Sequence, residues 1–290
     1  MGNKMLYSIF TRIVWSLAGT GLSKVPLVMR LYGLLYRILL PKEHIMRIQV
    51  QGHQMYIDLR DQGDVRRYLV SKGVYHPQMT KVFRDTITEG MTIVDIGANI
   101  GYFTLIAAEL VGKKGKVFAF EPEPHNFDLL VRNIALSGYD NIIPIQKAIS
   151  DRNGKAKLFV DRISFGSHSL MGAGKGFAQG VIEVETQTLD DYFKDYADGI
   201  GLIKIDVEGA EAVALRGMHN TICNSDGLVI ITEFLPDILA ECGSSPKQFL
   251  RDIIQYGFKL YSIDEAKQSL YPVDATFSPN GTSPNLLAVK

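Results

Sequence analysis

The sequence predicts an α/β fold: a doubly wound, mostly parallel seven-stranded sheet preceded by an N-terminal helical and hairpin extension. Three observations predict it. From Thr92 onward, strand, glycine turn and helix alternate, the rhythm of a parallel sheet with crossover helices. The segments Ile93–Ile96 and Leu202–Ile205 are near-continuous apolar runs, as expected of strands covered on both faces. Asp95 near the end of the first strand is followed by Gly97-Ala-Asn-Ile-Gly101 and then a helical pattern, a turn that lets backbone approach a ligand closely.

In chain order, Leu6, Ile9, Phe10, Ile13, Val14 and Leu17 recur at helical spacing within residues 5–18. Leu27, Val28, Leu31, Leu34, Leu35 and Ile38 do so within 26–40, where Pro26 suits a first turn. Gly19-Thr-Gly21 separates the two helices. Charges interrupt both runs short of a membrane span, and no small-residue cleavage site suggests a signal peptide. Residues 1–42 contain Lys4, Arg12, Lys24, Arg30, Arg37 and Lys42 and no acidic residue before Glu43. This basic pair has two readings: a cap packed on the main domain, or a peripheral contact with an anionic membrane on its cytoplasmic face.

Ile45–Leu59 alternates apolar and polar residues around Gln51-Gly52 and predicts a hairpin. A helix over 77–89 leads into the core. Strands follow at 92–96, 117–121, 142–146, 201–206, 228–234, 258–263 and 285–289. Helices are expected at 101–111, 124–137, 210–217 and 246–256. The interval 151–200 breaks the rhythm with a glycine- and serine-rich loop, Ser164–Gly180, between strand-like Lys155–Val160 and Val181–Thr186. Long loops of this kind are often functional. The expected organisation is therefore a basic extension over 1–43, a hairpin and helix over 44–90, and a ligand-binding domain over 91–290.

Composition narrows the function. The 31 basic and 31 acidic residues cancel, which argues against a general nucleic-acid binder. Cys223 and Cys242 form no CxxC motif, and the histidines show no zinc spacing. That pattern reads as a cytoplasmic chain without disulfides or a structural metal.

The glycine turn is not a dinucleotide fingerprint, because Asn99 and Tyr102 stand where G-x-G-x-x-G requires glycine. A pyrophosphate at the turn would be repelled by Asp95, whereas the sulfonium and ammonium of S-adenosylmethionine (SAM) would be attracted. Asp95 as a mere cap of the turn is the plainer alternative. Glu121, ending the second strand, suits ribose hydroxyls. Lys204, Asp206 and Glu208 would share one strand face if the fourth strand runs that far. Lys204 has a structural alternative, an ion pair with Asp190 or Asp191. His168 in the long loop is a further candidate for substrate contact, and Tyr75-His-Pro77 one for covering the ligand.

Taken together, Tyr75-His-Pro77, Val94-Asp-Ile-Gly-Ala-Asn-Ile-Gly-Tyr-Phe-Thr-Leu105, Phe120-Glu-Pro-Glu-Pro124 followed by Asn133, Ala148-Ile-Ser150, Thr188-Leu-Asp-Asp191 and Ile203-Lys-Ile-Asp-Val-Glu-Gly-Ala-Glu211 resemble the FkbM family of SAM-dependent methyltransferases. The resemblance runs from about residue 70 to Asn285-Leu-Leu-Ala288, with His76 where the family motif usually carries Glu. It implies a class I, Rossmann-like methyltransferase sheet and mostly O-methylation of hydroxyls on sugars, glycans or other small metabolites. By position it implies cofactor contacts from Tyr75, Asp95, Gly97, Ala98, Asn99, Gly101, Glu121, Pro122, Ala148 and Asp206. The first-turn residues would lie at the methionine part, Glu121 at the ribose and Ala148 near adenine. Asp206 would face the methyl-transfer cleft, and Asp206 or Glu208 is the expected base. Mg2+ at Asp206 is conceivable, but the sequence shows no full set of oxygen ligands. The acceptor would be a small-molecule, glycan or lipid-linked hydroxyl. Two rival readings are a membrane-associated SAM-binding protein without turnover and, less well supported, an NAD-linked oxidoreductase.

Overall fold

A computed structural model describes residues 6–7, 9–10, 13–14, 26–39, 43–171, 179–279 and 284–290. The described residues between 6 and 14 are helical; the rest of the helix expected over 5–18, and the Gly19–Gly21 break, lie outside the described residues. Helix α1 (Pro26–Leu39) leads to the antiparallel hairpin β1 (Ile45–Val50) and β2 (His53–Asp58). Gln51 and Gly52 make its turn with positive φ at both positions, the backbone a two-residue hairpin needs. Helix α2 (Asp64–Lys72) and helix α3 (Pro77–Thr86) follow. The sequence reading gave no helix at 64–72, and α3 stops at Thr86 because Ile87 turns extended.

The main sheet contains β3 (Thr92–Ile96), β4 (Lys116–Phe120), β5 (Ile142–Ile145), β9 (Leu202–Ile205), β10 (Val229–Glu233), β11 (Lys259–Asp264), β12 (Ser269–Val273) and β13 (Asn285–Val289). Their order across the sheet is β5-β4-β3-β9-β10-β13-β11-β12. Neighbours from β5 to β10 are parallel, and β13 runs antiparallel to both β10 and β11. All seven expected strands are present, and β12 adds an eighth on the edge. Between β7 (Gly154–Val160) and β8 (Gly180–Gln187) lies the long loop, and these two strands join β6 (Ala148–Ile149) in a separate three-stranded sheet.

Helices α4 (Tyr102–Val111), α5 (Pro124–Ser137), α6 (Leu189–Tyr192), α7 (Glu211–Arg216), α8 (His219–Cys223), α9 (Pro236–Glu241) and α10 (Pro246–Gln255) connect the strands. Alternate residues of β3 enter different cores. Ile93 joins a cluster with Leu105, Phe83 and the hairpin residues Met55 and Ile57, whereas Val94 and Ile96 join one with Ile203, Ile205 and Phe249. The strand order reverses at β3, with β4 on one side and β9 on the other. A crevice at the carboxyl ends of strands is expected at such a reversal, and the glycine turn and Asp206 both lie there.

Candidate active site

Two buried charges organise this crevice. The Asp95 carboxylate is fully buried and accepts from Thr104 Oγ1 at 2.6 Å and Lys204 Nζ at 3.2 Å. Lys204 also donates to the Gly97 carbonyl at 3.2 Å and sits 3.4 Å from Asp206 Oδ2. Burial by itself would lower the lysine pKa, but Asp95 and Asp206 raise it overall. Lysine is tolerable in this apolar strand because opposite charge and a carbonyl meet its ammonium group. Neither Asp190 nor Asp191 is its partner. Asp190 instead accepts from the Thr221 N–H at 2.8 Å and the Asn220 N–H at 3.0 Å.

The glycine turn lies against the end of β9. Gly97 has φ +77°, and a Cβ there would run into the Asp206 carbonyl oxygen. Its backbone must therefore be bare for the two strand ends to meet. Asn99, at φ 51°, adopts the left-handed conformation. Its N–H donates to Glu121 Oε2 at 2.8 Å, while Glu123 N–H donates to Glu121 Oε1 at 3.0 Å. Burial pushes the Glu121 carboxyl up to about 7 against those two hydrogen bonds.

A cavity of about 530 Å³ opens over these groups, within the range of small-molecule sites. Tyr75, Gly97, Ala98, Asn99, Glu121, Pro122, Ala148, Asp206 and Glu208 line it. Asp95 and Gly101 do not. The Asp95 carboxylate is directed at Thr104 and Lys204, and Lys204 is the one of the three that reaches the cavity. Gly101 caps the start of α4 at φ +95°, and a side chain there would crowd Leu130. His168 lines the cavity, and its Nδ1 accepts the Asp161 N–H at 3.1 Å. His76 also lines it, at φ 42° in front of α3.

The sequence reading missed one wall residue of chemical weight. Glu233, at the end of β10, lines the cavity, and one oxygen each from Asp206, Glu208 and Glu233 lie within 4.8 Å of one another. Burial first, then neighbouring carboxylates, pushes Glu208 up to about 8 and Glu233 well above the usual carboxylate range. The strand face expected to carry Lys204, Asp206 and Glu208 is not continuous, because β9 ends at Ile205 and Glu208 has φ 53°. A turn, not a pleat, brings the acids together. Glu211 Oε1 holds that turn by accepting the Val207 and Gly209 N–H groups at 3.2 and 3.1 Å. The backbone is unusual here in a telling way: of the five described non-glycine residues with positive φ, His76, Asn99 and Glu208 line the cavity. Strained backbone persists where surrounding structure holds it, and it concentrates at functional sites.

The remaining wall comes from the extension and the long loop. Asp61 Oδ1 accepts the Gly63 N–H at 2.8 Å and the Phe165 N–H at 2.9 Å. The Phe165 carbonyl in turn accepts Asn126 Nδ2 at 2.7 Å and Asn99 Nδ2 at 3.4 Å. Part of the loop, residues 172–178, lies outside the described residues.

The donor set discriminates among ligands. A carboxylate at the second strand end suits a ribose diol, and a cluster of acids suits a cation; neither suits a pyrophosphate. A family model described as the methyltransferase FkbM domain matches residues 95–260. The chain belongs to this family. The FkbM-family sheet is that of a class I methyltransferase, and its cofactor is S-adenosylmethionine. Hexuronic acid methyltransferase AglP of Haloferax volcanii is 26% identical over 220 residues, covering 74% of this chain and 78% of that protein. Methyltransferase sdnD of Sordaria araneosa is 31% identical over 157 residues, covering 43% of this chain and 60% of that one. A protein-L-isoaspartate O-methyltransferase of Methanococcoides burtonii is 43% identical over 68 residues, a match that spans only 34% of its length and 23% of this chain. Among the described residues, no helix is long and apolar enough to cross a membrane.

Proposed function

We propose that this methyltransferase methylates a hydroxyl oxygen on a sugar or glycan. The observation that carries the reading is the carboxylate cluster of Asp206, Glu208 and Glu233 at the carboxyl ends of β9 and β10. The cofactor supplies an electrophilic methyl group on a sulfonium, which needs little assistance to leave. An alcohol acceptor must instead lose a proton as its oxygen forms the new bond, so a base beside the acceptor is the part the protein provides. Asp206 is the group assigned to that step. It faces the cavity, and Lys204 at 3.4 Å fixes its orientation. Glu208 and Glu233, driven up by burial, hold protons near neutrality and keep the cluster from accumulating charge. Glu121 accepts hydrogen bonds from the ribose. The match to a protein named hexuronic acid methyltransferase, along 74% of this chain, favours a sugar among hydroxyl acceptors.

The test is Asp206→Asn with a sugar acceptor and labelled cofactor. Turnover should fall by about 100-fold or more, while cofactor affinity changes only a few-fold. Unchanged turnover with retained cofactor binding would remove Asp206 from the chemistry. The same three acids are also the one group of described residues with metal-ligand spacing. Activity that survives EDTA supports the base assignment; activity lost in EDTA and restored by Mg2+ would replace it with metal-assisted deprotonation.

A further inference from the structure

The N-terminal helices present an apolar surface that the methyltransferase core does not use. Their inner side is anchored. Tyr36 is buried and its hydroxyl donates to the Leu59 carbonyl at 2.8 Å. Tyr7 is buried too, donates to the same carbonyl at 3.3 Å, and accepts from Arg66 Nη1 at 3.1 Å. The opposite side of α1 is left out of this packing: Leu27, Leu31, Leu34 and Ile38 are 75, 54, 56 and 61% exposed. At about 100° per residue these four fall within an arc of about 60°, with Tyr36 on the far side. Leu6 and Ile9 of the preceding helical segment are exposed as well. A row of bare leucines and isoleucines of this length is rare on a protein surface without a partner.

Charge identifies the partner. Residues 1–42 carry six cations and no acid, in a chain whose total charge is zero. Arg30 is exposed beside the leucine row. A second copy of the chain would bring two such basic segments together, and their repulsion opposes that contact. An anionic lipid surface satisfies both features at once, because it takes up apolar side chains at the acyl boundary and neutralises the cations. Helix α1 has 14 residues, or about 21 Å of helix at 1.5 Å per residue, too short to span a hydrocarbon core of about 30 Å.

We propose that this face docks on an anionic bilayer, with α1 lying in the interface plane and the tyrosines holding the core to it. Only a short path separates the docking face from the active site. Arg66, which holds Tyr7, lies in α2 between Val65 and Arg67, both of which line the cavity. The proposal is independent of the acceptor proposed above.

The full chain should co-sediment with phosphatidylcholine vesicles containing phosphatidylglycerol, and much less with phosphatidylcholine alone, with binding that weakens as salt rises. Leu31→Ser combined with Leu34→Ser should reduce vesicle partitioning at least 10-fold. Thermal unfolding and cofactor affinity should stay at wild-type values, since both side chains are already exposed. Full chain that ignores anionic vesicles, or a double variant that binds them as well as wild type, overturns the proposal. So does a dimer in light scattering that the double variant dissolves, because the face would then belong to a second copy.

Discussion

Glu211 is fully buried, with Oε1 accepting two backbone N–H groups and Oε2 without a hydrogen-bond partner among the described residues. Burial pushes its carboxyl up to about 7 from an ordinary 4.5, despite those hydrogen bonds. Below pH 4.5 the group is protonated folded or unfolded and favours neither state. Between 4.5 and 7 the unfolded chain loses the proton and the folded chain keeps it, so stability falls as pH rises through this window. Above 7 the full penalty stands, on the order of 3 kcal/mol for a shift of this size. The ligand-free protein should therefore melt lower at pH 8 than at pH 6. Glu211→Gln keeps an acceptor for both N–H groups and should make that slope shallower, leaving the part that Glu121, Glu208 and Glu233 contribute, measured by thermal unfolding across pH 5–8. An unchanged slope would place the titration elsewhere. Legibility at this scale was uneven. The alternation of Lys204, Asp206 and Glu208 pointed to side chains that do lie together at the cavity, but a turn after β9 gathers them and not a shared strand face. Glu233 was invisible because a glutamate closing an apolar strand reads as the strand's solvent end until a neighbouring turn folds over it.

At the scale of elements, the site is a junction between two strand ends, β3 running into the glycine turn and β9 into the Asp206 turn. Gly97 is where they touch. Alanine there faces both a positive φ and a collision with the Asp206 carbonyl oxygen, so one or both turns must move. Gly97→Ala should destabilise the protein by about 2 kcal/mol or more and weaken cofactor binding at least 10-fold. Calorimetric titration alongside thermal unfolding checks this; wild-type affinity in a folded variant would show that the turn has slack. These strands were legible because burial on both faces makes them apolar runs, a signal that needs no knowledge of their neighbours. Helix α2 was not, since Asp-Val-Arg-Arg-Tyr-Leu-Val-Ser-Lys buries only Arg66 and Leu69. With one buried leucine, one buried arginine and the half-buried Val65 and Val70, the helix has too little stripe to be seen. The edge strand β12 was missed for a related reason: Ser269–Val273 is mostly exposed and contains Pro272, a residue that sheets accept at their edges.

Across the whole molecule, three parts remote in sequence meet at Phe165. The extension reaches it through Asp61, α5 through Asn126, and the glycine turn through Asn99. The long loop thereby links the hairpin side of the protein to the residue whose left-handed backbone presents its N–H to Glu121. Removing the Asp61 carboxylate takes one acceptor from both Gly63 and Phe165, frees the loop, and lets Asn99 leave its conformation. Asp61→Ala should weaken cofactor binding by roughly 5–30-fold, the equivalent of 1–2 kcal/mol. The melting temperature should drop only a few degrees in a protein of this size. Asp61→Asn retains an acceptor oxygen and should recover most of the affinity. If affinity is untouched in Asp61→Ala while the acceptor's KM rises, the loop serves the acceptor alone and Asn99 is held by Glu121 without it. If both variants lose affinity equally, the charge of Asp61 matters rather than its hydrogen bonds, and the link through Phe165 is not what positions the turn.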